Sequence, residues 1–203
     1  QRVEEARALA LPEALERFRA LATSRMDFAR TVKLDRAVER CLALGGSTAC
    51  FTRVRLALLG SSTLAHLMPG IRVAGLRRGL LIEIYEAPYG TYRQELADKT
   101  SGLHGFAPSV VLLALDARHV MGMGSAAAAL EAMRACWRMA KSAFPCAVVQ
   151  QTVMPVFAPL LGNQEHRLVG SPMFGVDQLN AELRAAADAD GVSVLALDAF
   201  ARE

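Results

Sequence analysis

Gly60-Ser61-Ser62-Thr63 ends a short apolar run, Arg55 to Leu59, and stands in front of a helix-like stretch. A serine at such a turn can do one of three things. Its hydroxyl is a nucleophile if a base takes its proton and nearby N–H groups receive the oxyanion. The same N–H groups can instead hold an anion, or the hydroxyl can cap the helix. Other chemistry-bearing groups follow other apolar runs: Gly90 with Arg93 and Gln94, Asp116 with His119, and Asn163 within Gly162-Asn163-Gln164-Glu165-His166-Arg167. Arg93 has the planar fork that grips a carboxylate or phosphate, and Glu95 and Asp98 are competing surface partners. His119, three residues after Asp116, is a candidate acid–base group or a loop brace. His66, one turn after Ser62, is expected to have a structural or capping role. His104 and His166 are expected in solvated loops, and Arg77-Arg78 at a solvated helix end that suits cations.

Placing these groups together requires a particular scaffold. "RLALL" (55–59), "LLIEIYE" (80–86), "SVVLLAL" (109–115), "CAVVQQT" (146–152) and "VSVLAL" (192–197) each have the length of a strand. Helical patterns over 63–78, 91–98, 124–142 and 173–189 alternate with them. Strand–helix alternation implies right-handed βαβ crossovers and a parallel sheet. The continuously apolar 109–115 run fits a central strand covered on both faces. The expected architecture is a three-layer α/β domain of about five strands, in flavodoxin-like order. Ligands in such sheets sit beyond the carboxyl ends of the strands. Ser62, Gly90, Arg93, Asp116 and His119 are therefore expected in one cleft, with Gly60, Ser61, Gln94 and Asn163 around it.

Ahead of the sheet, Leu9, Leu15, Phe18 and Leu21, then Phe28, Val32, Leu34, Val38 and Leu42, recur at helical spacing. "ALGGST" ends the second of these helices. Two N-terminal helices (residues 1–52) are thus expected before an α/β domain (53–203), either packed on it or linking it to something upstream.

Composition narrows the function classes. The 203 residues are 53% hydrophobic with a formal net charge of +3, and mean hydropathy is +0.25. No window of about 18 uninterrupted apolar residues occurs, and the charged N-terminus lacks a signal-peptide core. Cys41, Cys50, Cys136 and Cys146 form no CxxC and have no histidine at metal spacing. They read as buried thiols in a reducing cytoplasm, with no metal site. Short arginine clusters and mild charge give no nucleic-acid footprint and no membrane anchor.

From about Arg53 to Asp198 the chain resembles a known family. "LLGSSTLAHLMPGIRVAGLRRGLLIEIYEAPYGTYRQELADKTSGLHGFAPSVVLLALDARHV" and "PLLGNQEHRLVGSPMFGVDQLNAELR" look like the N-terminal region of FkbH-like proteins, within phosphatase subfamily IIIC of the haloacid-dehalogenase superfamily. The resemblance implies an SGNH-hydrolase-like fold followed by a phosphatase-like domain that uses Mg. Members with an assigned role load a glyceryl unit from a phosphorylated three-carbon donor onto an acyl carrier protein, in polyketide-type biosynthesis. The DxDx[TV] motif of that catalytic domain is absent from these residues, so the transfer step is expected downstream of them. No cofactor is expected in this region. The implied partners are the carrier protein, the downstream domain and a phosphorylated three-carbon ligand.

Matched block by block, the SGNH pattern puts its nucleophile on Ser62, with Ser61 replacing Asp or Asn, and its second-block glycine on Gly90. Asp116 falls where the third block has an Asn donor, and a carboxylate there repels an oxyanion. Asp198 falls near the last block, but Ala201 stands where its histidine would be. The expectation is a non-catalytic recognition domain. The alternative is an SGNH-type serine esterase or acyltransferase using Ser62.

Overall fold

The structure, a computed structural model, describes residues 3, 10–158 and 161–200, and of Asn163 only the backbone. Leu9 and Ala201, which carried two of the sequence readings, lie outside the described residues. The chain divides into two compact units: residues 1–55 with 64–84, and residues 56–63 with 85–203.

The smaller unit is built on α1 (Leu11–Ala22), α2 (Phe28–Ala43) and α3 (Met68–Arg77). Pro12 sits in the first turn of α1, where its missing N–H is not needed. Asp27 caps α2 by accepting the Arg30 N–H at 2.7 Å. Leu15, Phe18, Leu34, Val38, Val73 and Leu76 form the core of this unit. One charge is drawn into it. The buried Asp35 receives both Nε and Nη2 of Arg72, at 2.8 and 2.6 Å, and Glu39 lies 3.1 Å from the same guanidinium.

The strands are β1 (Thr52–Gly60), β2 (Leu80–Glu86), β3 (Val110–Ala114), β4 (Ala147–Gln151) and β5 (Ser193–Leu195), in the order β2-β1-β3-β4-β5. The β1–β3, β3–β4 and β4–β5 pairs are parallel, and Gly60 stands opposite Ala114. This is the doubly wound, flavodoxin-like order with β3 at the centre. Its direction reverses between β1 and β3, the place where such sheets open a crevice.

The larger unit adds α4 (Tyr92–Ala97), α5 (Gly102–Phe106), α6 (Ala117–Met121), α7 (Ala126–Ala143), α8 (Pro172–Asp190) and α9 (Leu197–Phe200). Ser125 and Ser171 cap α7 and α8, and Gly191 ends α8 in the left-handed region at φ 62°. Leu113, Val111, Met133, Trp137, Val176, Leu179 and Leu183 fill the core. Within it the Trp137 indole donates to Gln150 Oε1 at 2.9 Å. The Gln150 amide donates in turn to the Leu113 and Gln151 carbonyls. All four cysteines are free, and Cys41 and Cys136 are buried as expected, but Cys146 is half-buried and Cys50, in the turn just before β1, is exposed. Burial pushes the Cys136 thiol up to about 11, so it is protonated and inert at neutral pH.

One element departs from expectation in a way that bears on function. The helix expected from residue 63 begins at Met68, after a 3₁₀ turn at Ala65–Leu67. Pro69 explains this, because a proline is accepted in the first helical turn and would break an interior one. Ser62 and Thr63 therefore do not cap α3, and no helix N-terminus stands at Ser62 to hold an anion. The structure corrects both readings.

Candidate functional site

At the carboxyl end of β1 the chain places Ser61 inward and Ser62 outward. Ser61 is 3% exposed, whereas Ser62 and Thr63 are exposed. Two reciprocal hydrogen bonds tie Ser61 to the end of β3. Its hydroxyl donates to Asp116 Oδ2 at 2.6 Å and accepts the Asp116 backbone N–H at 2.8 Å. The other carboxylate oxygen, Asp116 Oδ1, accepts the His119 backbone N–H at 3.0 Å and so caps α6. Burial pushes the Asp116 carboxyl up. The Ser61 hydroxyl and the His119 and Arg118 backbone N–H groups outweigh that effect, and the group ends below the usual carboxylate value.

His119 is held from another direction. Its Nε2 shares a hydrogen bond with the Tyr92 hydroxyl at 2.9 Å, and the two rings meet edge-on with centroids 5.6 Å apart. Tyr92 is buried, and burial raises its phenol above its ordinary value, so it stays neutral. The imidazole is thus linked to Tyr92 and not to a serine hydroxyl, and Asp116 meets His119 through its main chain. Ser61, Asp116 and His119 come together, but in an order that braces the ends of β1 and β3. A nucleophile's relay needs serine to imidazole to carboxylate, and these contacts do not form one.

Other candidates fall around this network. Gly90 is exposed in the turn after β2, in the left-handed region at φ 71°, where Thr91 N–H closes on the Pro88 carbonyl at 3.1 Å. Arg93 and Gln94 are exposed on α4. Neither expected acid holds Arg93. Glu95 turns inward to accept the Tyr85 hydroxyl at 2.7 Å and the Leu103 N–H at 3.1 Å, and Asp98 accepts from Thr100. Asn163 belongs to a 3₁₀ turn, Gly162–Arg167, and its side chain is outside what is described. His66 and His166 are exposed. His104 is not a solvated loop residue. It lies on α5, with its ring 4.8 Å from that of Phe144 and its Nε2 sharing a hydrogen bond with the Leu96 carbonyl at 3.3 Å.

Two positioning residues, Tyr92 and Asn180, escaped sequence reasoning. Tyr92 read as a helix start, yet it fixes His119. Asn180 is buried on α8 and both accepts the Val153 N–H and donates to the Val153 carbonyl, each at 2.8 Å. It fixes the course of the chain as it leaves β4. Asp198 is clamped by Arg184, with both oxygens at 2.7 Å, and by the Thr152 hydroxyl at 2.8 Å. Burial pushes Asp198 up, but the Arg184 and Thr152 hydrogen bonds bring it below its ordinary value. The available signal was a polar residue inside an apolar periodic stripe, as Asn180 is between Val176 and Leu183.

Both depressed carboxylates stabilise the fold in a pH-dependent way. Their contribution is complete above the unfolded value of about 3.9 and is lost as pH falls through the lower folded values. Urea unfolding of an Asp116→Asn/Asp198→Asn variant should therefore lose less stability than the parent between pH 5 and pH 2, a window of roughly that linkage range. Parallel losses in the two proteins would show that neither carboxylate carries the effect.

Among the described residues no three His, Cys, Asp or Glu side chains converge as a metal site requires. No helix among them is long and apolar enough to cross a membrane.

Compared with known proteins, the chain matches no family model and no curated protein. Its fold does match solved structures. The N-terminal part of the protein BF1531 from Bacteroides fragilis, which contains a phosphatase domain complexed with Mg, superposes with a TM-score of 0.68 at 18% identity. That match covers 88% of this chain and 47% of the other, so this chain spans about half of that structure. At this identity the likeness carries the fold. A GDSL-like lipase from Bacteroides thetaiotaomicron aligns with a TM-score of 0.46 at 14% identity, over 84% of this chain and 78% of its own. That match is too loose to carry an argument.

Proposed function

We propose that this chain is a recognition domain without hydrolase activity of its own, the SGNH-hydrolase-like front part of an FkbH-like protein. In this reading it presents an acyl carrier protein, and a phosphorylated three-carbon ligand, to a haloacid-dehalogenase-type domain that performs glyceryl transfer for polyketide-type biosynthesis. The observation that supports it most is that the groups a Ser62 nucleophile would need beside it are engaged elsewhere, while Ser62 itself is exposed. Ser61 is locked to Asp116, and His119 Nε2 is taken by Tyr92.

The family resemblance in the sequence supports the rest of the reading. So does the fold shared with a structure that contains a phosphatase domain and of which this chain covers 47%. Magnesium belongs, in this proposal, to the haloacid-dehalogenase-type domain. Native mass spectrometry with a phosphopantetheinyl carrier protein tests the proposal. A one-to-one complex with no covalent mass gain on this chain is expected. A stable acyl adduct on Ser62 from an acylated carrier would support the acyltransferase alternative instead.

A further inference from the structure

We propose that the carboxyl edge of the larger unit's sheet is a docking surface for an acidic protein partner. Ion pairing among the unit's arginines first marks this edge. Arg134, Arg138 and Arg184 lie on the long helices α7 and α8 and each has a carboxylate, Asp190, Glu131 and Asp198 respectively. Arg93, Arg118 and Arg167 are exposed, and no ion pair among the described residues includes them. All three follow the carboxyl end of a strand: β2, β3 and β4 in turn.

The carboxylates on the same edge make the contrast sharper. From the last residue of each strand through the first turn of the next helix, the acidic residues are Glu86, Glu95, Asp116, Glu165 and Asp198. None of them is exposed. Glu95, Asp116 and Asp198 spend their oxygens on internal hydrogen bonds, and Glu165 is buried. The ionic side chains exposed on this edge are therefore arginines, with Glu86 at the end of β2 half-buried.

Exposed apolar side chains point to the same edge. Among the described residues, the exposed large hydrophobic side chains of the larger unit are Tyr89, Val156, Leu161, Leu168, Val169 and Phe200. Each follows a strand's carboxyl end. Val169 is 87% exposed and Tyr89 75%. The long connection after β4, which carries four of them, leaves and re-enters at this edge. Asn180 pins its start and the Ser171 cap its end.

Apolar side chains among unpaired arginines are the composition of a protein interface, in which arginine and aromatic residues are enriched and acidic ones depleted. Positive charge selects an acidic partner and speeds encounter. Nucleic acid would find few aromatic platforms here, and the valines and leucines offer it nothing. This inference rests on the carrier-protein reading above and assigns the surface that reading needs.

The test is calorimetric titration of the 203-residue chain with an acyl carrier protein of net negative charge in its phosphopantetheinyl form. The variants are Arg93→Glu/Arg118→Glu/Arg167→Glu, Leu168→Asp/Val169→Asp, and Lys99→Glu as an exposed control away from this edge. Circular dichroism confirms that each is folded. Both edge variants should bind at least tenfold more weakly, the control should match the parent, and the parent's affinity should fall as salt is raised. Equal affinity in parent and edge variants would overturn the surface and leave the carrier reading standing. No binding by the parent would overturn both. Arginine-dependent binding to vesicles of anionic lipid instead of the carrier, or arginine-dependent self-association by light scattering, would overturn the acidic-protein assignment.

Discussion

Asp116→Ala lowers the stability of this protein by about 2–4 kcal/mol, the sum of a lost helix cap and an orphaned buried hydroxyl. The carboxylate is the joint through which the ends of β1 and β3 hold each other. Removing it frees the His119 N–H at the start of α6 and takes the acceptor from the Ser61 hydroxyl, which is 3% exposed. Asp116→Asn keeps an oxygen for one of the two contacts and should recover about half of the loss, in keeping with a hydrogen bond's net worth of about 1 kcal/mol. Chemical denaturation at pH 7 measures both. A loss below about 0.5 kcal/mol for the alanine variant, the usual size of a surface effect, would mean that the joint is not structural.

Trp137→Ala should cost more, about 3–5 kcal/mol, as large-to-small changes at buried aromatic sites do. Trp137 is 1% exposed and is among the largest fully buried side chains. Trp137→Phe separates its two roles. Phenylalanine restores much of the volume but leaves Gln150 Oε1, at a side chain with no exposure, without its donor. That variant should therefore still lose about 1–3 kcal/mol, the penalty of an unsatisfied buried polar group. If Trp137→Phe were as stable as the parent, the Gln150 hydrogen bond would contribute nothing. If it were as unstable as Trp137→Ala, volume would not be what matters.

The sheet could be read almost directly from the residues, because each strand is a short apolar run bounded by turn residues. The continuous Val110–Leu115 run marks β3 as the central strand, and the structure puts it there. The start of α3 was not readable from hydrophobic periodicity, which continues upstream of Met68. Only the proline at position 69 marks the boundary, and periodicity ignores it. Short α6 has too few residues to show a period, although Asp116 is a cap by type.

Where the candidate residues meet was readable, and how they bond to one another was not. The rule that ligands sit beyond the carboxyl ends of strands found Ser61, Asp116 and His119. It could not say which of two adjacent serines faces inward. A shift of one residue along a strand reverses the face, and that choice decides whether the buried hydroxyl is Ser61 or Ser62. Tyr92 was hidden for a different reason. A tyrosine at a helix start reads as core, and its hydroxyl finds His119 only once α4 and α6 are folded.

The central claim is that the serine turn belongs to a binding domain and not to a hydrolase. A fluorophosphonate probe tests it most directly, because it labels serines that are activated as nucleophiles and passes over those that are not. The 203-residue chain is incubated with the probe beside Ser62→Ala and Ser61→Ala, and p-nitrophenyl acetate hydrolysis is followed in parallel. Neither labelling nor hydrolysis above the buffer rate is expected in any of the three, since His119 Nε2 is held by Tyr92 and Ser61 by Asp116. Stoichiometric labelling of the parent that disappears in Ser62→Ala would contradict the claim and make this domain an esterase.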